Sequence, residues 1–156
     1  LKRTNNSPKM AFRRYDLNMD TKEVKFTDIV TPPTDAIDFP IINLLSKKEE
    51  LLHYLAELLY STGSTAVLKV DHCNGEKITR WEEPGVWVSE PFFVDDPKSS
   101  REDAGMIMVS VFDEKINKNR LIMINAQTMK TSSDTTLPTF IPMTPIKAGI
   151  QLENDR

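Results

Sequence analysis

The sequence has 156 residues, of which 39% are hydrophobic and 28% charged, and it carries a formal net charge of −3. These proportions are typical of a globular protein rather than a disordered one, and the charge balance indicates neither a nucleic acid nor an acidic partner. Cys73 is the only cysteine in the sequence, which excludes an intrachain disulfide and fits a reducing, cytoplasmic compartment.

The N-terminal part of the chain is polar and basic over residues 1–14. This composition predicts a solvated tail, with a basic patch that binds anionic lipid as the alternative. Nowhere does the sequence contain the roughly 18 consecutive apolar residues that a membrane-spanning helix needs. Residues 10–16 and 24–29 show the pattern of two short strands joined by a polar turn at residues 18–22.

Two carboxylates stand alone inside apolar runs. Asp38 lies in AIDFPIIN, residues 36–43, where Pro40 keeps the preceding residue extended. Glu90 lies in VWVSEPFFV, residues 86–94, among Trp, Val and Phe. Because burial of an ionised carboxylate without a partner is costly, each one either lies at a strand end in water or serves a buried polar site.

Residues 46–60 allow two interpretations. Ser46 and Glu49 have the spacing of a helix capping box. Five leucines then recur at helical intervals: Leu51, Leu52, Leu55, Leu58 and Leu59. The local pattern taken alone predicts a helix of about four turns.

Two further pairs of strands are predicted after residue 64. Residues 66–71 and 77–81 flank a turn with the sequence Asn-Gly, which is a strong hairpin signal. Residues 106–112 and 121–124 flank a polar turn at residues 114–119. The regular spacing of these strands predicts an all-β fold, a meander of antiparallel hairpins. After residue 129 the chain is rich in Ser and Thr and then in Pro, which argues against a central strand.

The order of short motifs in the chain resembles the C-terminal part of the carotenoid cleavage oxygenases. The motifs are EPG, SEPFFV and ED-G, then a hydrophobic strand, a polar turn and LIMINAQTM. That family has a seven-bladed β-propeller fold, and 156 residues are too few for a complete propeller of even four blades. The resemblance implies a partial propeller over residues 10–144, about the last third of the family fold, between a flexible tail (1–9) and a divergent tail (145–156). It also implies a strand within residues 46–60, and we expect the strand rather than the helix.

The same resemblance implies a chemistry. Members of the family hold iron(II) with four histidines and oxidatively cleave a double bond of a carotenoid or retinoid substrate, which enters through an apolar tunnel. In them the glutamate of the SEP motif, here Glu90, orients an iron-ligating histidine by accepting its outer N–H. Asp38 stands where the family has a glutamate in a phrase like EFP-IN. Its carboxylate is one methylene shorter, and the resemblance implies the same role with shifted geometry.

The iron ligands themselves do not carry over to this chain. The sequence has two histidines, His53 and His72, and neither lies in a ligand motif of the family. Each is predicted to be a lone surface histidine. Residues 145–149 (PIKAG) replace the His-Gly phrase that holds the family's last ligand. The chain alone is therefore expected to hold no iron and to be inactive as an oxygenase.

Three interpretations of function stay open. The leading one is the C-terminal portion of an iron(II)-dependent carotenoid dioxygenase, with Glu90 and Asp38 as supports for histidines. The second is a non-catalytic module of β-blades that binds a lipid or a protein partner, with peripheral membrane association. The third is a soluble β domain whose resemblance is accidental. The sequence has no Gly-x-Ser-x-Gly elbow, phosphate loop or dinucleotide fingerprint, so it gives no support to the classes that use them.

Overall fold

The computed structural model of the protein describes residues 10–30, 36–43, 52–59 and 64–141. In these ranges the chain forms β-strands, turns and one short 3-10 segment, His72–Asn74. The strands form three antiparallel sheets, which confirms the all-β prediction. None of the described residues belongs to a helix of the length and hydrophobicity that a bilayer crossing requires.

The first sheet is a hairpin of two strands, β1 (Phe12–Leu17) and β2 (Val24–Val30). The side chain of Asn18 stabilises the connecting turn, because its Oδ1 accepts hydrogen bonds from the backbone N–H groups of Asp20 (2.9 Å) and Thr21 (3.0 Å). The two strands and their turn confirm the predicted hairpin.

The second sheet has four strands that neighbour one another in chain order. They are β3 (Ala36–Ile41), β4 (Leu52–Leu59), β5 (Ser64–Asp71) and β6 (Lys77–Glu82). β5 and β6 form the hairpin that the Asn-Gly turn predicts. Gly75 adopts the left-handed conformation there, with a φ of 65°, which glycine reaches without steric cost.

β4 shows that the helix predicted from the leucine pattern is wrong for residues 52–59. The strand pairs with β5 along its whole length. Its side chains alternate between two cores, with Tyr54 and Ala56 in one and Leu55 in the other. A strand that is buried on both faces carries leucines on both, and such a run can imitate helical spacing. The expected strand is confirmed for these residues, while 44–51 and 60–63 lie outside the described ones.

The third sheet has five strands. They are β7 (Val86–Val88), β8 (Phe92–Asp95), β9 (Gly105–Asp113), β10 (Lys118–Asn125) and β11 (Lys130–Thr136). Both short strands, β7 and β8, pair with β9, and the order across the sheet continues through β10 to β11. The hairpin of β9 and β10 confirms the prediction. β11 was not predicted, because it has no apolar residue and is exposed along its whole length.

The second sheet lies between two hydrophobic cores. The main core joins its face to the third sheet, and the central members of that core are Tyr54, Val67, Val109, Ile122 and Ile124. A smaller core joins the opposite face to the β1–β2 hairpin, with Leu55, Leu68 and Val70 packed against Val30. This arrangement fixes β3, which carries Asp38, relative to the third sheet, which carries the segment around Glu90.

Candidate functional site

Asp38 lies at an irregularity in β3. The pairing of β3 with β4 shifts register between Asp38 and Ile41, and Phe39 between them has a φ of 53°. Pro40 fits such an irregularity because it has no backbone N–H to donate to a regular ladder. The carboxylate of Asp38 is exposed, and its Oδ1 accepts a hydrogen bond of 2.8 Å from the backbone N–H of Phe39.

Glu90 lies in the short connection between β7 and β8. The preceding residue, Ser89, is buried and tied to β9, because its backbone N–H (3.0 Å) and its hydroxyl (2.7 Å) both donate to the carbonyl of Ser110. Glu90 itself is half-buried. Within the described residues its carboxylate has no hydrogen bond or ion pair. The sheet therefore holds the backbone of Glu90 in place and leaves its carboxylate oxygens available.

The segments that follow the two carboxylates form the walls of one cavity. Its volume is about 390 Å³, and most of its surface is apolar. It is lined by Pro40, Ile41, Ile42, Asn43, Phe92, Phe93 and Asp95. The fold thus brings the end of β3 and the strand β8 together, although the two motifs are far apart in the sequence.

A buried asparagine links the two walls. Asn43 is 3% exposed, and its Nδ2 donates to Asp95 Oδ1 (2.7 Å) and to the backbone carbonyl of Glu102 (3.1 Å). The side chain of Glu102 in turn accepts a hydrogen bond of 2.9 Å from the backbone N–H of Leu52. These contacts attach the connection between β8 and β9 to the second sheet.

Beside this link lies an ion pair that is shielded from solvent. Lys69 Nζ donates to Asp103 Oδ2 (3.0 Å) and to the carbonyl of Ala126 (2.9 Å). Burial would raise the pKa of Asp103, but hydrogen bonds from Lys69 and Arg101 outweigh it and hold the pKa below its ordinary value. Asp103 is therefore ionised in the folded protein at neutral pH.

Tyr54 places a hydroxyl in the main core next to this ion pair. The residue is fully buried, its ring lies 5.4 Å from that of Phe93, and its hydroxyl has no hydrogen-bond partner among the described residues. Burial, with the nearby charges of Asp103 and Glu102, raises the pKa of the phenol above its ordinary value. Tyr54 is therefore a neutral group at physiological pH.

The prediction of two lone surface histidines is wrong. His53 on β4 and His72 just after β5 are both half-buried, and His53 Nδ1 lies 2.9 Å from His72 Nε2. The register of the β4–β5 hairpin explains the contact, because His53 is opposite Val70 and side chains two residues apart share a face. His53 shares its face of the sheet with Leu55, so both histidines lie on the side of the smaller core. Asp38 lies on the opposite face, because it pairs with Ala56 of the main core.

The chain's own residues do not fit a four-histidine iron site. Within the described residues no group of three His, Cys, Asp or Glu side chains is arranged to hold a metal ion. The whole sequence contains two histidines, and both lie on the face of the second sheet that does not carry Asp38. Histidine ligands beside Asp38 and Glu90 would therefore have to come from other polypeptide.

The sequence reasoning missed the residues that hold the site together. Asn43 is the last residue of a mainly apolar run, and Lys69 and Asp103 lie far apart in the sequence. The ED-G motif contains Asp103 and is a local signal that points to it. No local pattern marks Lys69, since it lies in a strand whose neighbours are Leu and Val.

Comparison with known proteins agrees with the motifs. Residues 2–144 match the model of the family described as retinal pigment epithelial membrane protein. The chain is 29% identical over 98 residues to β,β-carotene 15,15′-dioxygenase of Gallus gallus, and 31% identical over 90 residues to the mitochondrial carotenoid-cleaving dioxygenase of Mustela putorius furo. These matches cover 62% and 56% of this chain but 18% and 16% of the two enzymes. The matched region is therefore less than a fifth of either relative.

Solved structures show the fold to which the sheets belong. Cobalt-substituted apocarotenoid oxygenase (ACO) of Synechocystis superposes with a TM-score of 0.75 at 21% identity, over 90% of this chain and 30% of that one. A D477G chimera of ACO and RPE65 gives a TM-score of 0.71, over 85% and 28% of the two chains. The three sheets thus match less than a third of these β-propeller chains, which confirms the predicted partial propeller. The family match, over nearly the whole sequence, shows that this chain belongs to the retinal pigment epithelial membrane protein family, that of the carotenoid cleavage oxygenases.

Proposed function

We propose that this chain is one portion of an iron(II)-dependent carotenoid dioxygenase, and that it contributes supporting carboxylates rather than metal ligands. The observation that carries the proposal is the shared cavity: Asp38 lies two residues before one wall, and Glu90 lies two residues before the other. The matching relatives are named for the cleavage of carotenoids, which supports a carotenoid, apocarotenoid or retinoid as the substrate class.

Glu90 is the stronger of the two supports. The residue is half-buried and its carboxylate has no protein partner among the described residues, a state that becomes favourable when an N–H donor arrives. The outer N–H of a metal-bound imidazole is such a donor, and accepting it fixes the tautomer and orientation of the ring. Ser89 contributes by holding the backbone of the segment to β9.

Asp38 fills the same role by a different geometry. One of its oxygens accepts the N–H of Phe39, which leaves the second oxygen for an imidazole. β3 is irregular directly after Asp38, and irregularities of this kind re-aim side chains in many sheets. A bulge of this kind can compensate for the missing methylene of Asp relative to Glu.

The cavity suits an apolar polyene. A volume of about 390 Å³ lies within the usual range for small-molecule sites, and Phe92 and Phe93 both contribute to its apolar lining. Bound iron(II) would supply the activation of dioxygen. Because His53 and His72 cannot provide four imidazoles, we infer that the 156 residues alone neither hold iron at Glu90 nor cleave the substrate.

A chimera tests the proposal. Residues 10–141 of this chain would replace the matching segment of Synechocystis apocarotenoid oxygenase, so that the host supplies its own metal ligands. We expect the purified chimera to contain iron and to cleave an apocarotenal. Glu90→Gln in the chimera should lower both iron content and cleavage, and Asp38→Asn should lower them less.

The controls separate a role in support from a loss of folding. Glu114→Gln, on the exposed turn after β9, should leave iron content and cleavage unchanged. All variants should keep the far-ultraviolet circular dichroism of the chimera. Unchanged iron content and full activity in Glu90→Gln would remove the role assigned to that residue.

The alternative function is a non-catalytic module that binds a lipid. The exposed apolar side chains of the β1–β2 hairpin favour it, since Leu17, Met19 and Phe26 are 63%, 70% and 59% exposed. Titration of the 156-residue chain with retinal and with vesicles, in the presence of a chelator, distinguishes the two functions. Saturable binding without iron, together with an inactive chimera, would favour the module.

A further inference from the structure

A line of three polar side chains lies on the face of the second sheet opposite Asp38. Glu76 Oε2 lies 2.5 Å from His72 Nδ1, and His72 Nε2 lies 2.9 Å from His53 Nδ1. The two imidazoles meet edge to face, with ring centroids 4.9 Å apart and an interplanar angle of 85°. The carboxylate thus holds one nitrogen of His72 while the other nitrogen faces His53.

The carboxylate determines which nitrogen of His72 carries the proton. An ionised carboxylate only accepts hydrogen bonds, so neutral His72 must carry its proton on Nδ1, next to Glu76. Its Nε2 then presents a lone pair to His53. A histidine that donates one N–H to a carboxylate while its other nitrogen faces outward is the arrangement of metal-binding histidines in proteins.

We propose that His53 and His72 form a binding site for a borderline divalent cation, Zn²⁺ or Cu²⁺, with Glu76 as the positioning residue. Imidazole nitrogens suit both cations. With metal–nitrogen distances of about 2.0–2.1 Å and tetrahedral angles, two ligating nitrogens lie about 3.3 Å apart. The observed 2.9 Å between Nδ1 and Nε2 is close to that separation, so a small rotation of either ring admits the ion. Metal binding also needs the lone pair of His53 Nδ1, so the proton that this nitrogen donates to His72 moves to Nε2 of the neutral ring when the ion binds.

Water supplies the ion's remaining ligands. Both histidines are half-buried, so water can reach them. Within the described part of the chain no third His, Cys, Asp or Glu completes a set of protein ligands, and water fills the other positions. The ring of Phe12 lies 5.6 Å from that of His53 and 6.1 Å from that of His72, and it covers one side of the pair. Arg14 forms an ion pair with Glu76.

The site is independent of the proposed oxygenase function. It lies on the other face of the sheet, and it uses the two histidines that the family's ligand motifs leave out. Either function can therefore fail in experiment without affecting the other.

The first experiment measures Zn²⁺ binding by the full 156-residue chain. Cys73, which is exposed and adjacent to His72, is replaced by Ser so that its thiol cannot bind the ion. Titration calorimetry should then show saturable binding of one Zn²⁺. His53→Gln and His72→Gln should abolish that binding. Glu76→Gln keeps both imidazoles and should weaken binding by about 10–100-fold, as loss of a carboxylate behind a metal-bound histidine typically does.

Control measurements address non-specific binding and misfolding. Asp20→Asn, in the exposed turn of the β1–β2 hairpin, should leave Zn²⁺ affinity unchanged. Electron paramagnetic resonance of Cu²⁺ bound to Cys73→Ser should show coupling to two nitrogens, and this measurement needs no histidine substitution. Absence of saturable binding in Cys73→Ser, persistence of binding in both histidine variants, or a Cu²⁺ spectrum without two nitrogens would overturn the proposal.

Discussion

Asn43 donates a 2.7 Å hydrogen bond to Asp95 and so joins the end of β3 to the end of β8. The same nitrogen also donates to the carbonyl of Glu102, and the residue is almost completely buried. One side chain therefore connects the two walls of the cavity, each of which continues from one of the two carboxylates singled out by their motifs. Removal of the Asn43 side chain should therefore lower the stability of the fold and change the geometry of the site.

Asn43→Ala should reduce the free energy of unfolding by about 1–3 kcal/mol, because Asp95 and the Glu102 carbonyl lose a buried donor. Urea unfolding followed by circular dichroism measures the change. Gln127→Ala, on the exposed turn after β10, is the control and should change the same quantity by less than about 0.5 kcal/mol. A loss as small as that of the control would show that Asn43 does not hold the walls together.

The strands were predictable from the sequence where the turn residues and the alternation of polar and apolar residues match the burial of the strand. The β5–β6 and β9–β10 hairpins have turn residues and alternation that point to the same structure. β4 could not be assigned from its own residues, because burial on both faces removes the alternation that identifies a strand. The resemblance to a family identified it, through information that the local pattern does not contain.

The candidate site was predictable only in part. Motifs singled out Asp38 and Glu90, but the partners that order their segments are distant in sequence, as Asn43 is from Asp95. The contact of His53 with His72 depends on the register of a hairpin, and a shift by one residue would move His53 to the other face. Such contacts follow from tertiary structure and leave no local signal.

Among the charged residues of the third sheet, Arg120 should be the one whose substitution lowers the stability of the fold most. It is 8% exposed, its Nη1 donates to Asp113 (2.6 Å) and Glu83 (3.0 Å), and its Nε donates to Asp134 (3.0 Å). The hydrogen bond to Asp134 raises the pKa of Arg120 most, and the hydrogen bond to Glu83 raises it next. The guanidinium is therefore always charged. One cation thus neutralises part of a cluster of three carboxylates.

Arg120→Met should destabilise the fold by about 3 kcal/mol, because it leaves Asp113 buried without its cation. Glu83 and Asp134 are each 38% exposed in their side chains, so water compensates much of their loss. Arg120→Lys should recover part of the stability, since it restores the charge but not the planar fork. Thermal unfolding measures the series, with Lys130→Ala, exposed on β11, as the neutral control. Equal stability of Arg120→Met and Lys130→Ala would contradict the assignment.

The ion pair of Lys69 with Asp103 should make stability depend on pH. The folded-state pKa of Asp103 is lowered, so its contribution is complete above the unfolded-state value and is lost as the pH falls through the folded-state value. Asp103→Asn should therefore be less stable than the unmodified chain at neutral pH. The difference between the two should shrink as the pH falls from about 5 to about 2.

Urea unfolding across that pH range tests the dependence on Asp103. Lys98→Ala, exposed in the same connection between β8 and β9, should keep the pH dependence of the unmodified chain. If Asp103→Asn shows the same slope of unfolding free energy against pH as the unmodified chain, the ion pair makes no ionisation-dependent contribution.

Tyr54→Phe should leave the protein equally stable or raise the free energy of unfolding by up to about 1 kcal/mol. The substitution removes a buried hydroxyl that has no partner among the described residues, and with it the cost of its desolvation, while the ring keeps its contact with Phe93. Urea unfolding measures the change, and Tyr15→Phe on the exposed hairpin is the matched control. A loss of more than about 1 kcal/mol in Tyr54→Phe alone would mean that the hydroxyl does have a partner, such as an internal water held beside Asp103, because only a satisfied hydroxyl contributes stability that its removal can take away.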